Sequence, residues 1–127
     1  MIYHITQAQN WRAAGETGSY LPPGFASDGF IHCCTAGQIA EVADRYFRGE
    51  TDLVLLRIDP QRVAADVRYE DLTGSSVAYP HIYGALDVAA VQAALPFPSE
   101  PDGAFMPPSQ LWPVSDRAST PDPQNEA

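Results

Sequence analysis

Apolar and polar residues alternate along several short segments of the chain, and each segment of this kind predicts a β-strand. These segments are residues 1–6 (MIYHIT), 29–34 (GFIHCC), 66–70 (DVRYE) and 79–84 (YPHIYG). Residues 52–59 (DLVLLRID) form a denser apolar run, which predicts a central strand that is buried on both faces. The pattern therefore predicts a sheet built around a buried central strand.

Helical periodicity separates some of these strands. The apolar positions after Thr35 recur at i, i+3, i+4, i+7 and i+8, which predicts a helix capped by Thr35. Thr6 is expected to cap an earlier helix that runs to about Ala14. Asp87 is expected to cap a short helix over residues 88–95.

Two further segments have the composition of irregular structure. Residues 15–28 hold three Gly and two adjacent Pro, which predicts a long loop of the kind that often covers a binding site. Residues 96–127 are rich in proline and small polar residues. We expect this tail to dock on the domain as far as about residue 113, through Phe105, Leu111 and Trp112, and to be disordered beyond.

The fold class that follows is α+β. We expect a single domain over residues 1–95, with a small mixed or antiparallel sheet and two or three helices. A chain of 127 residues is long enough to bury one core without a disulfide or a metal.

Charge and composition exclude several function classes. The formal net charge is −9, and all seven basic residues are Arg. The absence of Lys rules out Schiff-base chemistry and a P-loop, and the negative field argues against non-specific nucleic-acid binding. No apolar run is long enough for a membrane helix, and no signal-like segment opens the chain, so a cytoplasmic protein without membrane contact is expected. The adjacent Cys33 and Cys34 are expected to be reduced thiols.

The three histidines of the chain each lie in a predicted strand, within YHIT, FIHCC and PHIYG. Their immediate neighbours are largely apolar, so strand alternation predicts that the neighbours face the core and that His4, His32 and His81 face the other way. That face would also carry Thr6 on the first strand and Tyr83 on the last. Hydroxyls, aromatic rings and imidazoles together are typical of a ligand cleft. The alternative is that each histidine is a hydrogen-bonded, half-buried structural residue.

Further residues are candidates for the same cleft. Tyr20 lies on the Gly/Pro loop and could stack over a ligand, or could anchor the loop. Glu70 ends a predicted strand and could act as a general base or bind a ribose hydroxyl, or could be a solvated turn residue. Cys34 and Thr35 lie just after His32 and are also candidates; Cys34 could be a nucleophile or could be a small packed side chain.

Five short motifs occur in an order that resembles one known family. YHIT, GFIHCCT, LVLLRID, YE and PHIYGAL, over about residues 1–95, are similar to the domain of unknown function 952 family. The family usually has Ser where this chain has Cys34, so the resemblance does not favour a catalytic thiol. The family is remotely similar to ADP-ribosyltransferase-like folds.

That remote similarity implies specific roles. His4 and Thr6 would hold a ribose of NAD, and Tyr20 would lie on a loop that covers the ligand. The third motif of such folds usually supplies a glutamate, whereas PHIYG offers His81 and Tyr83 instead.

The first functional hypothesis is an ADP-ribosyl-transfer enzyme that uses NAD or a phosphorylated nucleotide end as substrate. The second is a non-catalytic binder of a nucleotide-like small molecule. A third is a metal-dependent hydrolase in which the three histidines hold a zinc ion, although no two of them have the close spacing that is typical of such sites. The catalytic candidates are His4, His32, His81 and Glu70, and the substrate-binding candidates are Thr6, Tyr20, Cys34, Thr35 and Tyr83. The oligomeric state and the strand order stay open.

Overall fold

The structure is a computed structural model that describes residues 1–72 and 74–97. Its strands are β1 (Ile2–Gln7), β2 (Ser19–Tyr20), β3 (Ile31–His32), β4 (Leu53–Ile58), β5 (Asp66–Glu70), β6 (Tyr79–Tyr83), β7 (Leu86–Asp87) and β8 (Val91–Pro96). The α-helices are α1 (Ala8–Thr17), α2 (Phe25–Asp28) and α3 (Ile39–Tyr46). Single 3₁₀ turns occupy Ala36–Gln38, Pro60–Arg62 and Val88–Ala90. The α+β class is confirmed.

The strands form three small antiparallel sheets rather than one. Their orders are β1-β4-β8, β2-β7 and β3-β6-β5. Strand β4 is central in its sheet and largely buried, as its dense apolar sequence predicts. The first and third sheets meet where Tyr3 of β1 forms a two-way backbone bridge with Cys34, with N···O distances of 2.8 Å in both directions. This bridge brings β1 alongside the chain that leaves β3.

Two hydrophobic clusters lie on opposite faces of β1, because alternate residues of a strand point to opposite sides. One cluster contains Ile2 together with Tyr20, Ile31, Ile82 and residues of β4. The other contains Tyr3 and Ile5 and the apolar side of α3. Both faces of β1 are therefore core, and His4 is only 7 % exposed. His4 does lie on the face opposite Tyr3 and Ile5, as alternation predicts, but that face is packed against core as well.

Several predicted boundaries differ from the structure. Helix α1 begins at Ala8 after Gln7, so Thr6 is still in β1 and does not cap the helix. The helix continues to Thr17, where Gly18 ends it in a left-handed conformation (φ 84°) that favours glycine. The segment 15–28 is therefore not a structureless loop. It contains the end of α1, the whole of β2 and the short helix α2.

The predicted helix over residues 88–95 is also wrong. Asp87 does cap a turn, since its Oδ1 accepts the Ala89 amide at 2.8 Å, but the turn ends at Ala90. The chain then continues as β8, which pairs with β4. Ala, Gln and Leu favour helices in isolation, and the pairing with β4 overrides that preference.

Other predictions of local structure are confirmed. Strands β5 and β6 cover the predicted segments. The Thr35 amide donates to Gln38 Oε1 at 2.9 Å at the predicted helix start, although the first turn is 3₁₀ and α3 proper begins at Ile39. The expected docking of Phe105, Leu111 and Trp112 lies outside the described residues, and the division of the chain after residue 95 stays a prediction.

Candidate functional site

His32 and His81 lie directly opposite each other on the paired strands β3 and β6. Residues opposite each other in an antiparallel pair project from the same face, so their rings approach, with centroids 5.6 Å apart. The Phe30 ring packs against both imidazoles, at 4.7 Å from His32 and 4.3 Å from His81. The His32 side chain is 62 % exposed, whereas that of His81 is only 6 % exposed.

Glu70 ends β5, the other neighbour of β6, and its carboxylate reaches the same face. His81 Nδ1 donates to Glu70 Oε1 at 2.9 Å, and the Tyr83 hydroxyl donates to the same oxygen at 2.6 Å. The Tyr83 hydroxyl, and then His81, lower the pKa of Glu70 from its ordinary value, because both hydrogen bonds favour the ionised carboxylate. The same bond raises the pKa of Tyr83, which holds on to the proton that it donates.

This hydrogen bond determines which His81 nitrogen carries a proton. A carboxylate oxygen only accepts, so neutral His81 has its proton on Nδ1 and a lone pair on Nε2. Among the residues that the structure describes, Nε2 has no hydrogen-bond partner. The imidazole is therefore fixed on one side and open as an acceptor on the other.

His4 occupies a different position, between β3 and β2. Its Nδ1 donates to the backbone oxygen of His32 at 2.6 Å, and its Nε2 accepts the Tyr20 hydroxyl at 2.6 Å. Burial lowers the pKa of His4 from 6.5 to about 4, so the ring is neutral at pH 7. Burial also raises the pKa of Tyr20 to about 12, partly offset by a hydrogen bond with Thr6. Both ring nitrogens of His4 are engaged by protein groups.

His4 holds both ends of the segment between Tyr20 and His32, because one of its ring nitrogens bonds the Tyr20 hydroxyl and the other bonds the His32 backbone oxygen. Helix α2 lies within it, and its last residue, Asp28, accepts from Nε2 of His32, with Oδ2 3.0 Å away. The i, i+4 separation of Asp28 and His32 was visible in the sequence, but only the short helix and the turn at Gly29 (φ 82°) bring the two side chains together. Sequence reasoning missed Asp28 for this reason.

A cavity of about 570 Å³ opens beside these residues, within the range of small-molecule sites. All three histidines line it, and so do four other predicted residues, namely Thr6, Tyr20, Cys34 and Glu70. Thr35 and Tyr83 are absent from its wall, although Tyr83 contacts both Glu70 and Phe30. Asp28 and Phe30 line the cavity and were not among the predicted site residues.

Three of the predicted substrate-binding residues, Thr6, Tyr20 and Cys34, are buried in the protein. Cys34 is 2 % exposed, packs in the cluster that contains Tyr3, and has its pKa raised to about 12 by burial. A thiol with that pKa is protonated at pH 7, which argues against a nucleophilic role. The Thr6 hydroxyl accepts from Asn10 Nδ2 at 3.4 Å and lies in the surroundings of Tyr20. These contacts favour the packing interpretation of Cys34.

The three histidines do not form a metal site with one another. His4 has both nitrogens turned to protein groups, so it cannot join His32 and His81 as a ligand. Across residues 1–72 and 74–97, no group of three or more His, Cys, Asp or Glu side chains is arranged to hold a metal ion. Within the same part of the chain, no helix is long and apolar enough to cross a membrane.

Residues 5–94 match the family described as "Protein of unknown function (DUF952)". The chain belongs to this family. The match spans β1 to β8 and so includes every histidine except His4, which lies one residue before it. No curated protein matches the sequence.

Two solved structures of one other protein are similar to this chain. The crystal structure of protein CC0527 from Caulobacter crescentus has a TM-score of 0.78 at 30 % identity, over 86 % of this chain and 96 % of that one. The solution NMR structure of CC0527 has a TM-score of 0.75 at 31 % identity, over 87 % and 95 % of the two chains. The fold of this chain is thus found in an experimentally determined structure. These matches do not support the expected likeness to ADP-ribosyltransferase folds.

Proposed function

We propose that the cavity is a small-molecule site in which His81, oriented by Glu70, exchanges a proton with the bound ligand. The observation that carries the proposal is the His81 imidazole itself, whose Nδ1 is held 2.9 Å from Glu70 Oε1 while Nε2 has no partner among the described residues. His81 as a whole is nearly buried and lines the cavity, but its Nε2 is not among the buried side-chain atoms without a partner, so this nitrogen is accessible to a ligand.

The arrangement has the parts that general acid–base catalysis needs. A carboxylate on Nδ1 fixes the tautomer and the ring orientation, and it stabilises the imidazolium that forms when Nε2 takes up a proton. Phe30 packs on the ring at 4.3 Å and limits the directions from which a ligand approaches. His4 has a positioning role in this proposal, because its two nitrogens are occupied by His32 and Tyr20.

ADP-ribosyl transfer from NAD is a second candidate, and one observation favours it. Such chemistry uses a carboxylate to stabilise the positive charge that develops as a glycosidic bond breaks. The third motif, PHIYG, lacks one, but Glu70 on the neighbouring strand supplies an ionised carboxylate beside His81. The engagement of His4 argues against its holding a ribose directly. Binding of a nucleotide-like molecule without turnover is the remaining alternative.

A panel of ligands tests the proposal. NAD, ADP-ribose, AMP and nicotinamide are titrated into ¹⁵N-labelled protein while the His81 ring signals are followed, and nicotinamide release from NAD is measured in parallel. We expect at least one ligand to shift the His81 ring and to lose its binding in Glu70→Gln. Glu16→Gln, on exposed α1 and away from the cavity, is the matched control.

The outcomes separate the candidates. Release of nicotinamide by the wild-type protein and not by Glu70→Gln supports ADP-ribosyl transfer. Binding without release supports the non-catalytic alternative. If no ligand shifts His81, or if binding is the same in Glu70→Gln and Glu16→Gln, the proposed role of the Glu70–His81 pair is contradicted.

A further inference from the structure

The charges around the cavity are mainly negative. Apart from the histidines, the charged side chains of the described residues that line it are Asp28, Arg45, Glu50 and Glu70, which are three carboxylates and one guanidinium. Arg45 already pairs with Glu41, 2.9 Å from its Oε2. A negatively charged ligand would therefore meet carboxylates without an uncommitted cation to balance it.

One end of the cavity offers hydrogen-bond acceptors in particular. This end, formed by Phe30, Glu70 and His81, is called the His81 end. Glu70 Oε1 already accepts two hydrogen bonds, and its Oε2 has no hydrogen-bond partner among the described residues. His81 Nε2 carries a lone pair in the neutral ring and is a hydrogen-bond acceptor. A ligand at the His81 end must therefore bring donors, and a positive charge would strengthen both bonds.

Nearby cations do not remove this preference. The positive charge of Arg68 helps to lower the pKa of Glu70. Its guanidinium, however, lies 4.7 Å over the Tyr83 ring and donates a hydrogen bond to Asp66 at 3.3 Å. It does not line the cavity. Phe30 adds an aromatic face to the His81 end, and aromatic faces attract planar cations.

We infer that the His81 end of the cavity recognises a planar, positively charged organic group that donates hydrogen bonds, such as an amidinium. The inference rests on the proposed function, because it requires that the cavity bind a ligand. It goes further by specifying that the ligand group at the His81 end is positively charged and donates hydrogen bonds. The neutral amide of the same shape supplies one donor-bearing nitrogen and no charge, and a carboxylate supplies neither.

Three ring compounds of nearly equal size test the inference. Benzamidinium, benzamide and benzoate carry charges of +1, 0 and −1 on the same ring, so they separate charge from shape. Each is titrated into ¹⁵N-labelled full-length protein at pH 8, above the ordinary titration range of imidazole. The signals followed are the backbone amides of Phe30 and His81 and the His81 ring. Glu70→Gln removes the carboxylate, and Glu16→Gln is the control that loses the same charge elsewhere.

We expect benzamidinium to bind at least tenfold more tightly than benzamide, and benzoate to cause no shift at the same concentrations. Glu70→Gln should weaken benzamidinium at least tenfold and leave benzamide within threefold, while Glu16→Gln changes neither. If Glu70→Gln does not fold, the relative affinities of the three compounds for the wild-type protein still test the inference.

Benzamide or benzoate binding as tightly as benzamidinium would overturn the inference and leave the proposed site intact. Absence of any shift at Phe30 and His81 with all three compounds would also overturn it. The proposed function itself fails only if His81 is also unshifted in the separate titration with NAD, ADP-ribose, AMP and nicotinamide. The two failures are therefore distinguishable.

Discussion

The Nδ1 of His81 lies 2.9 Å from Oε1 of Glu70, although the two residues are 11 positions apart in the chain. Strands β5 and β6 pair so that Arg68 is opposite His81, which leaves Glu70 diagonal to the imidazole on the same face. A glutamate side chain spans that diagonal. The pair is thus a direct consequence of strand register, and a slip of one residue would send Glu70 to the other face.

The hydrogen bond from Tyr83 to Glu70 predicts a measurable pKa change. In Tyr83→Phe the largest of the interactions that lower the pKa of Glu70 is removed, so this pKa should rise. The carboxyl ¹³C signal of Glu70, followed as a function of pH, measures it. Tyr69→Phe removes a hydroxyl from the residue beside Glu70 on β5, whose side chain points to the opposite face of the sheet, and should leave the titration unchanged.

The depressed pKa of Glu70 also sets the sign of a stability effect. A carboxyl that titrates lower in the folded state contributes stability above its unfolded pKa, and the contribution is lost as the pH falls through the folded pKa. The difference in unfolding free energy between the wild-type protein and Glu70→Gln should therefore shrink on acidification. A difference that grows as the pH falls would contradict this assignment.

Burial of His4 also predicts a loss of stability on acidification. The pKa falls from 6.5 to about 4, so between these values the unfolded chain binds a proton that the native state does not. Stability should then decline as the pH falls from about 6.5 to about 4, by on the order of 3 kcal/mol from this residue alone. Urea unfolding at a series of pH values measures it. His4→Asn, which cannot titrate, should show a flatter dependence; equal slopes would count against the shift.

The Tyr20 hydroxyl is expected to matter for stability through His4. Tyr20→Phe leaves the ring in the core but removes the donor to His4 Nε2, so a buried acceptor loses its partner. The cost should be about 1–3 kcal/mol in the free energy of unfolding. Tyr69→Phe, at a side chain that is 58 % exposed, should change it by less than about 0.5 kcal/mol. Equal effects of the two variants would show that the hydrogen bond contributes little.

Two glycines should respond to alanine in opposite directions. A Cβ at Gly84 would lie 2.8 Å from the Ala65 Cβ, so Gly84→Ala forces apart the segments that flank β5 and β6 and should destabilise by about 1–3 kcal/mol. A Cβ at Gly15 meets no atom within 4 Å, and the residue lies inside α1. Gly15→Ala should therefore stabilise by about 0.5–1 kcal/mol. Thermal unfolding of both variants checks the pair, and a stabilising Gly84→Ala would disprove the close approach.

The cysteines should be unreactive in the folded protein. Burial raises the pKa of both thiols, and both are nearly inaccessible. We expect a thiol reagent to label native protein far more slowly than protein unfolded in urea, at the same pH. Rapid labelling of Cys34 in the native state would instead reopen a nucleophilic role for it.

The sequence predicts the strands that have a strong local pattern, but it does not predict the elements whose conformation depends on pairing with a distant strand. Strands β4, β5 and β6 lie where alternation or a dense apolar run predicts them. Strand β8 was predicted as helix because its residues favour helices and only its contact with β4 makes it extended. The segment 15–28 was predicted as loop because β2 and α2 are too short to produce a periodic signal.

The candidate site was predictable in part for the same reasons. Alternation correctly put His32 and His81 on one face, because β3 and β6 have a core on their other side. It also put His4 on the face opposite Tyr3 and Ile5, but it could not show that this face of β1 is core too. The pairing of Glu70 with His81 depends on the register of two strands, and that of Asp28 with His32 on a short helix. Neither relationship is encoded by local spacing.

The state of the His81 ring is the most direct test of the whole account. A long-range ¹H–¹⁵N spectrum of the free protein at pH 8 should show Nδ1 as the protonated nitrogen and Nε2 as the unprotonated one, with the Nε2 signal shifting when benzamidinium is added. The reverse tautomer, or a Nε2 signal that stays unchanged with benzamidinium and with every ligand of the panel, would contradict it.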